Sequence, residues 1–128
     1  MTVLGVSSYM ANKWLDAAFN ATSFSVATPY MQLHTADPGA AGTTSVATET
    51  TRKLVSFGVA SGGIVLNDVA VQWTGIAGSQ DASHYSLWDA STAGNFLGDG
   101  VITANAYTAG DTLTFAIGAI SIALTIAS

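Results

Sequence analysis

The sequence predicts a mainly β fold: an antiparallel β-sandwich, jelly-roll or immunoglobulin-like, with one short N-terminal α-helix. Three observations carry this. Short segments of alternating apolar and polar residues recur from Tyr30 to the end of the chain. Turn-forming runs rich in Gly, Asp, Asn and Ser separate them. Helical spacing of apolar residues occurs once, between Ser7 and Phe19. The 128 residues are enough for one domain, 1–128, with its own core.

Taken in order, SSYMANKWLDAAF over 7–19 is the helix, with Ser7 or Ser8 as its cap. Met10, Trp14, Ala17 and Ala18 share one face, which is expected to dock on a sheet; Lys13 and Asp16 lie elsewhere. Residues 20–29 read as a connector. Tyr30–His34 alternates with Met31 and Leu33 on one face, and 35–51 is a long, polar, exposed loop. Lys53–Val59 is expected as a strand with Val55, Phe57 and Val59 aligned, followed by a turn at Ser61-Gly62-Gly63. Val69, Val71 and Trp73 alternate again, and 75–83 reads as a loop. His84–Trp88 is a strand and DASTAGN a turn. Phe96-Leu97 begins a strand that Gly98-Asp99-Gly100 should break, with Val101–Ala104 following. After a turn at 108–111, the uncharged run TLTFAIGAISIALTIAS is shorter than the ~20 apolar residues of a membrane-spanning helix. Its apolar residues alternate, and their parity switches at Gly118-Ala119, so it predicts two strands with a bend between them.

Composition narrows the function. Charged residues are only 9% of the chain, against ~25% in ordinary globular proteins. A surface so poor in charge is expected to pack against other copies or other proteins. Three Lys and Arg residues against eight Asp and Glu give a net charge of −5, which leaves no basic patch for nucleic acid and no attraction to anionic lipid. With no cysteine, disulfides and thiolate-bound metals are excluded. The start MTVLGVSSYM lacks the basic and apolar regions of a signal peptide.

No motif reads as catalytic. There is no GxSxG elbow, P-loop or dinucleotide fingerprint, and the aspartates sit in turn contexts. His34 and Asp37, three residues apart, are one half of a metal site at most; a His34–His84–carboxylate site would require adjacent strands. The simpler reading of LHTADPGAAGT is a strand end and turn. Asp37 accepts backbone N–H groups, Pro38 fixes its own φ, Gly39 takes a positive φ, and His34 bonds the loop. Trp14, His34, Asp37, Pro38 and Trp88 are the candidate contact residues, for a subunit or for a glycan, with no catalytic residue, metal or cofactor expected. Trp73, Tyr85 or Trp88 beside Asp and Asn would be needed to stack a sugar, although tryptophans are mostly buried. A hydrolase built on His84 is the residual enzymatic reading.

Larger blocks carry a resemblance. LHTADPGAAGT followed by TETTRKLVSFGVASGG, then HYSLWDASTAGNFLGDG, then AGDTLTFAIGAISIAL, resemble in this order the structural proteins of tailed-phage virions, of tail-fibre or minor-tail type. The blocks span about three-quarters of the chain, Tyr30 to Leu124. The resemblance implies a small β-rich virion-surface protein present in many copies, with no catalytic residues; the absence of cysteine suits assembly in the bacterial cytoplasm. From the charge-poor, apolar surface the expected partners are copies of itself, as a trimer, and other virion proteins; the acidic balance predicts no nucleic acid and no membrane. The chain lacks a fibre shaft. The expectation is therefore a minor tail or tail-tip protein, with a capsid decoration protein and a host-glycan-binding module as alternatives.

Overall fold

Two chemically different faces of one sheet organise the molecule. The computed structural model describes residues 5–128, and of Ala104 the backbone alone. The elements run β1 (Gly5–Val6), α1 (Ser8–Phe19), β2 (Tyr30–His34), β3 (Lys53–Leu54), β4 (Ile64–Leu66), β5 (Val71–Trp73), β6 (Gln80–Trp88), β7 (Phe96–Tyr107), β8 (Leu113–Phe115) and β9 (Ser121–Ala123). The main sheet has the order β1-β7-β6-β2-β3; β4 pairs with β9 and β5 with β8, and all pairings are antiparallel. The fold is mainly β with one short helix, as the alternation and turn spacing predict.

The register of β2 against β6 sets Met31 opposite Leu87 and Leu33 opposite Tyr85. These four side chains are buried and, with Trp73, Leu97 and Phe115, belong to one apolar core. The other face pairs Gln32 with Ser86 and His34 with His84. Residues 35–52 return alongside the end of β2, with Thr44 and Arg52 reaching onto this polar face. They anchor through the bridge His34↔Val46, the bond from Ala47 N–H to the Leu33 carbonyl (3.0 Å), and the buried Pro38, Gly42, Ala47 and Glu49.

α1 begins as expected: the Ser7 side chain accepts the Met10 N–H at 3.1 Å, an N-cap bond. Its docking is less complete than the apolar face suggests. Only Met10 is buried; Trp14 is half-buried, and Ala17 and Ala18 are exposed.

Other boundaries differ from expectation, each for a tertiary reason. The strand expected over 53–59 ends at Leu54. The Val55 N–H bonds the Pro29 carbonyl, and then residues 56–58 turn to a different neighbour, through Gly58 N–H to Leu66 O and Asp68 N–H to Ser56 O. Val59 is left 97% exposed. Residues 80–83, read as loop, belong to β6, because β7 continues to Tyr107 and offers Gln80, Asp81 and Ala82 partners. Gly98-Asp99-Gly100 does not break β7. A Cβ on Gly100 would lie 2.5–2.8 Å from the hydroxyl and ring of Tyr85, its cross-strand partner, so this glycine marks close approach inside a strand. The parity switch at Gly118-Ala119 is a turn with Gly118 at φ +82°, and the strands it joins pair with β5 and β4 and not with each other. Among the described residues no helix is long and apolar enough to cross a membrane.

Candidate functional site

The polar face of the sheet brings together two of the five candidate residues. His34 is fully buried at the end of β2. Its Nδ1 lies 2.8 Å from the Thr44 carbonyl, which can only accept, so Nδ1 carries the proton. Nε2 is then the acceptor and takes the Ser86 hydroxyl at 2.7 Å; Ser86 Oγ in turn accepts the Trp88 indole N–H at 2.8 Å. The chain Trp88–Ser86–His34–Thr44 is satisfied throughout by a neutral histidine. Burial holds the His34 pKa below the usual histidine value; the Thr44 and Ser45 carbonyls oppose this, and the His84 and Arg52 charges reinforce it.

Trp88 is closed off from above. The Arg52 guanidinium sits 4.1 Å from its ring centroid, and Phe96 packs at 5.4 Å between centroids. Arg52 Nη1 also donates to Ala90 O (2.9 Å) and Ala93 O (2.7 Å). It thereby ties the start of β3 to the β6–β7 turn, where Asp89 accepts from the Asn95 backbone and side chain at 2.7 and 2.8 Å. Sequence reasoning missed Arg52 as the link. Its signal was its rarity, as one of three fixed cations.

Asp37 and Pro38 form the turn that LHTADPGAAGT suggested. The Gly39 N–H bonds Asp37 Oδ1 at 2.9 Å, Gly39 has φ +78°, and the Pro38 carbonyl accepts the Thr44 N–H at 3.0 Å. The turn thus presents Thr44 to His34. Asp37 is exposed and Pro38 buried. Across a shallow cleft of about 360 Å³ lies Asp99, whose carboxyl is raised by burial and by the Asp37 charge, with His84 opposing.

Trp14 lies apart from this network. With Met10, Ala17, Ala18, Phe24, Val26 and Leu124 it lines an open, largely apolar groove of about 610 Å³. Further apolar side chains are exposed beyond it: Phe19 at 84%, Val59 at 97% and Ile117 at 68%.

The chemistry this arrangement permits is limited by access. β2 and β6 do place His34 beside His84, as the metal reading requires. Both His34 nitrogens are already engaged, however, and no group of three His, Asp or Glu residues suited to a metal occurs among the described residues. Ser86 and His34 have the hydrogen bond of an activated nucleophile, but both are fully buried and Ser86 Oγ is covered by the Trp88 N–H. At His84 the polarity is reversed. Ser83 donates its proton to the Thr35 carbonyl (2.9 Å) and so accepts from Nδ1, 2.8 Å away. Trp73, Tyr85 and Trp88, the rings a sugar site would need, are all buried. Exposed apolar side chains around α1 and the loops are part of what remains open to a partner.

The family model of the podophage GP4 fiber I protein gp80 matches residues 5–123, nearly the whole chain. The chain belongs to this phage fibre family. No curated protein matches it. Membership of the podophage fibre family gives the chain a tail-fibre structural role among virion proteins.

Proposed function

We propose that this chain is a non-enzymatic minor component of a phage tail, of tail-tip type, that works through protein–protein contacts. The match to the fibre family over 5–123 carries the reading. The surface supports it. Only 9% of residues are charged, and large apolar side chains are exposed beside a groove lined by Trp14. Scattered exposed apolar residues are ordinary in a soluble protein, but such groups on a surface poor in charged residues suit repeated packing on a particle. A host-glycan module is the weaker reading, because its candidate rings are buried.

The test is cryo-electron microscopy of purified virions. Density for this chain at the tail is the expected result. Density confined to the capsid shell would replace the tail reading with a decoration role. Absence from the particle would overturn a structural function.

A further inference from the structure

We infer that His34 is an acid-sensitive latch: the neutral ring holds a flap, residues 36–46, shut over Phe96, and protonation of the ring releases the flap while the sheet stays folded.

The flap is bonded in part to itself. The Gly42 N–H bonds the Gly39 carbonyl at 3.1 Å, and the Thr44 N–H bonds the Pro38 carbonyl at 3.0 Å. Among the described residues, two groups tie its far end back to β2: the Thr35 N–H to Ser45 O at 2.9 Å, and His34 Nδ1–H to Thr44 O at 2.8 Å. The flap covers an aromatic pair. A Cβ on the buried Gly42 would come within 2.4–2.8 Å of the Phe96 ring, and Phe96 packs on Trp88 at 5.4 Å between centroids. Beyond the flap the chain is pinned independently. The Ala47 N–H bonds Leu33 O at 3.0 Å, the Thr48 N–H bonds Gln80 Oε1 at 2.7 Å, and Glu49 Oε1 accepts the Ala77 N–H at 3.1 Å. Release therefore stops before Ala47.

Two features make closure depend on the charge of His34. Ser45 holds φ +56°, a left-handed conformation that a residue with a Cβ keeps only where its surroundings enforce it. The bonds that enforce it are those to Thr44 O and Ser45 O. The ring, for its part, has no room for a second proton. Nε2 accepts the Ser86 hydroxyl, and Ser86 Oγ already accepts the Trp88 N–H. Protonation would turn that acceptor into a donor. The new charge would be fully buried, facing His84 on β6 and Arg52 at the end of the 35–52 segment. Asp37 in the flap acts instead on Asp99 of β7, which in turn faces His84. A charge buried beside two cations is costly, and in the open flap the ring reaches water. Burial disfavours the charged ring more than the Thr44 and Ser45 carbonyls favour it. The closed form thus holds the proton less readily than the open one, and opening grows as pH falls below 6.5.

Amide hydrogen exchange of the full chain, followed by NMR and corrected for the intrinsic effect of pH, tests the latch. The Thr35 N–H reports release of the flap; the β6 and β7 amides report unfolding of the sheet. With urea kept low, up to about 1 M, local opening is nearly insensitive to denaturant and global unfolding is not. At pH 5.5 the Thr35 amide should exchange faster than those of β6 and β7, with little dependence on urea. Its opening should increase about tenfold from pH 7.5 to pH 5.5, the effect of one proton bound below 6.5. His34→Gln should remove that increase. A Thr35 amide that follows the β6 and β7 amides in rate and urea dependence would overturn the latch, because the flap would then open only with the sheet. An increase that persists in His34→Gln would overturn it as well. The urea dependence is read on the wild type, so it decides even where the variant fails to fold.

Discussion

The Arg52 guanidinium lies over the Trp88 ring at 4.1 Å from its centroid while donating to the carbonyls of Ala90 and Ala93. One side chain thus closes the polar face of the sheet and fastens the β6–β7 turn. A planar guanidinium can stack and donate at once, and an ammonium cannot do both as well. Arg52→Lys should destabilise the fold by about 1–2 kcal/mol despite keeping the charge. Urea unfolding checks this, with the near-ultraviolet signal of the three tryptophans, compared with that of Trp88→Phe, reporting the loosened lid. An unchanged midpoint would mean that the stacking contributes nothing to stability.

His34 makes stability depend on pH. Its folded pKa is lowered from 6.5, chiefly by burial, so the unfolded chain binds the proton more readily. Stability from this group is complete above the unfolded value, and is lost as pH falls through 6.5 toward the lower folded value. Urea midpoints of the wild type should drop between pH 7.5 and pH 5.5. His34→Gln should flatten that part of the profile, at a cost of about 1–3 kcal/mol at neutral pH from imperfectly replaced hydrogen bonds.

Glu49 acts lower on the scale. Burial works to raise its pKa, yet the bonds from the Ala77 N–H (3.1 Å) and Thr51 N–H (3.2 Å) leave it below the usual 4.5. Its contribution is present above the unfolded value and disappears as pH falls through the folded one. Glu49→Gln should leave stability at pH 3 nearly unchanged while lowering it at pH 7. A variant as stable as wild type at pH 7 would remove the carboxylate from the account of the loop's anchoring.

Asn67 joins three segments: Nδ2 donates to Val69 O and Ala116 O, and Oδ1 accepts the Ile120 N–H at 2.8 Å, with the residue 1% exposed. Asn67→Asp keeps the acceptor but turns a donor toward neither carbonyl. It should cost about 2–3 kcal/mol at neutral pH, measured by thermal or urea unfolding.

Gly100→Ala should cost about 1–3 kcal/mol by overpacking, because its Cβ would meet the Tyr85 hydroxyl at 2.5 Å and the ring at 2.6–2.8 Å. Pairing the change with Tyr85→Phe tests the cause. Phe removes the hydroxyl that approaches most closely, so part of the loss should return. A cost unchanged in the Phe background would place the strain on the ring and not on the hydroxyl.

Local chemistry was legible wherever residues within a few positions decide the outcome. The cap at Ser7, the turn at Asp37-Pro38-Gly39, the β2 alternation and the bend at Gly118 all follow from spacing, φ preference and side-chain reach. Composition also fixed the absence of disulfides and the low share of charged residues, with its acidic balance of −5. Tertiary structure alone decided which neighbour each short strand took. Residues 56–58 left β2 for 66–68, β7 ran through two glycines, and the apolar face of α1 stayed half open. It also decided the fate of the polar residues. Of Ser86, His34, Thr44, Trp88 and Arg52 only His34 and Trp88 stand out along the chain; the five become one network around the buried His34 and Ser86 only when β2 and β6 pair and the 35–52 segment brings Thr44 and Arg52 to them. The reason is physical. Hydrogen-bond partners ten to fifty residues apart leave no periodic trace in the sequence, whereas a cap, a turn or an alternation writes its partner a few residues away.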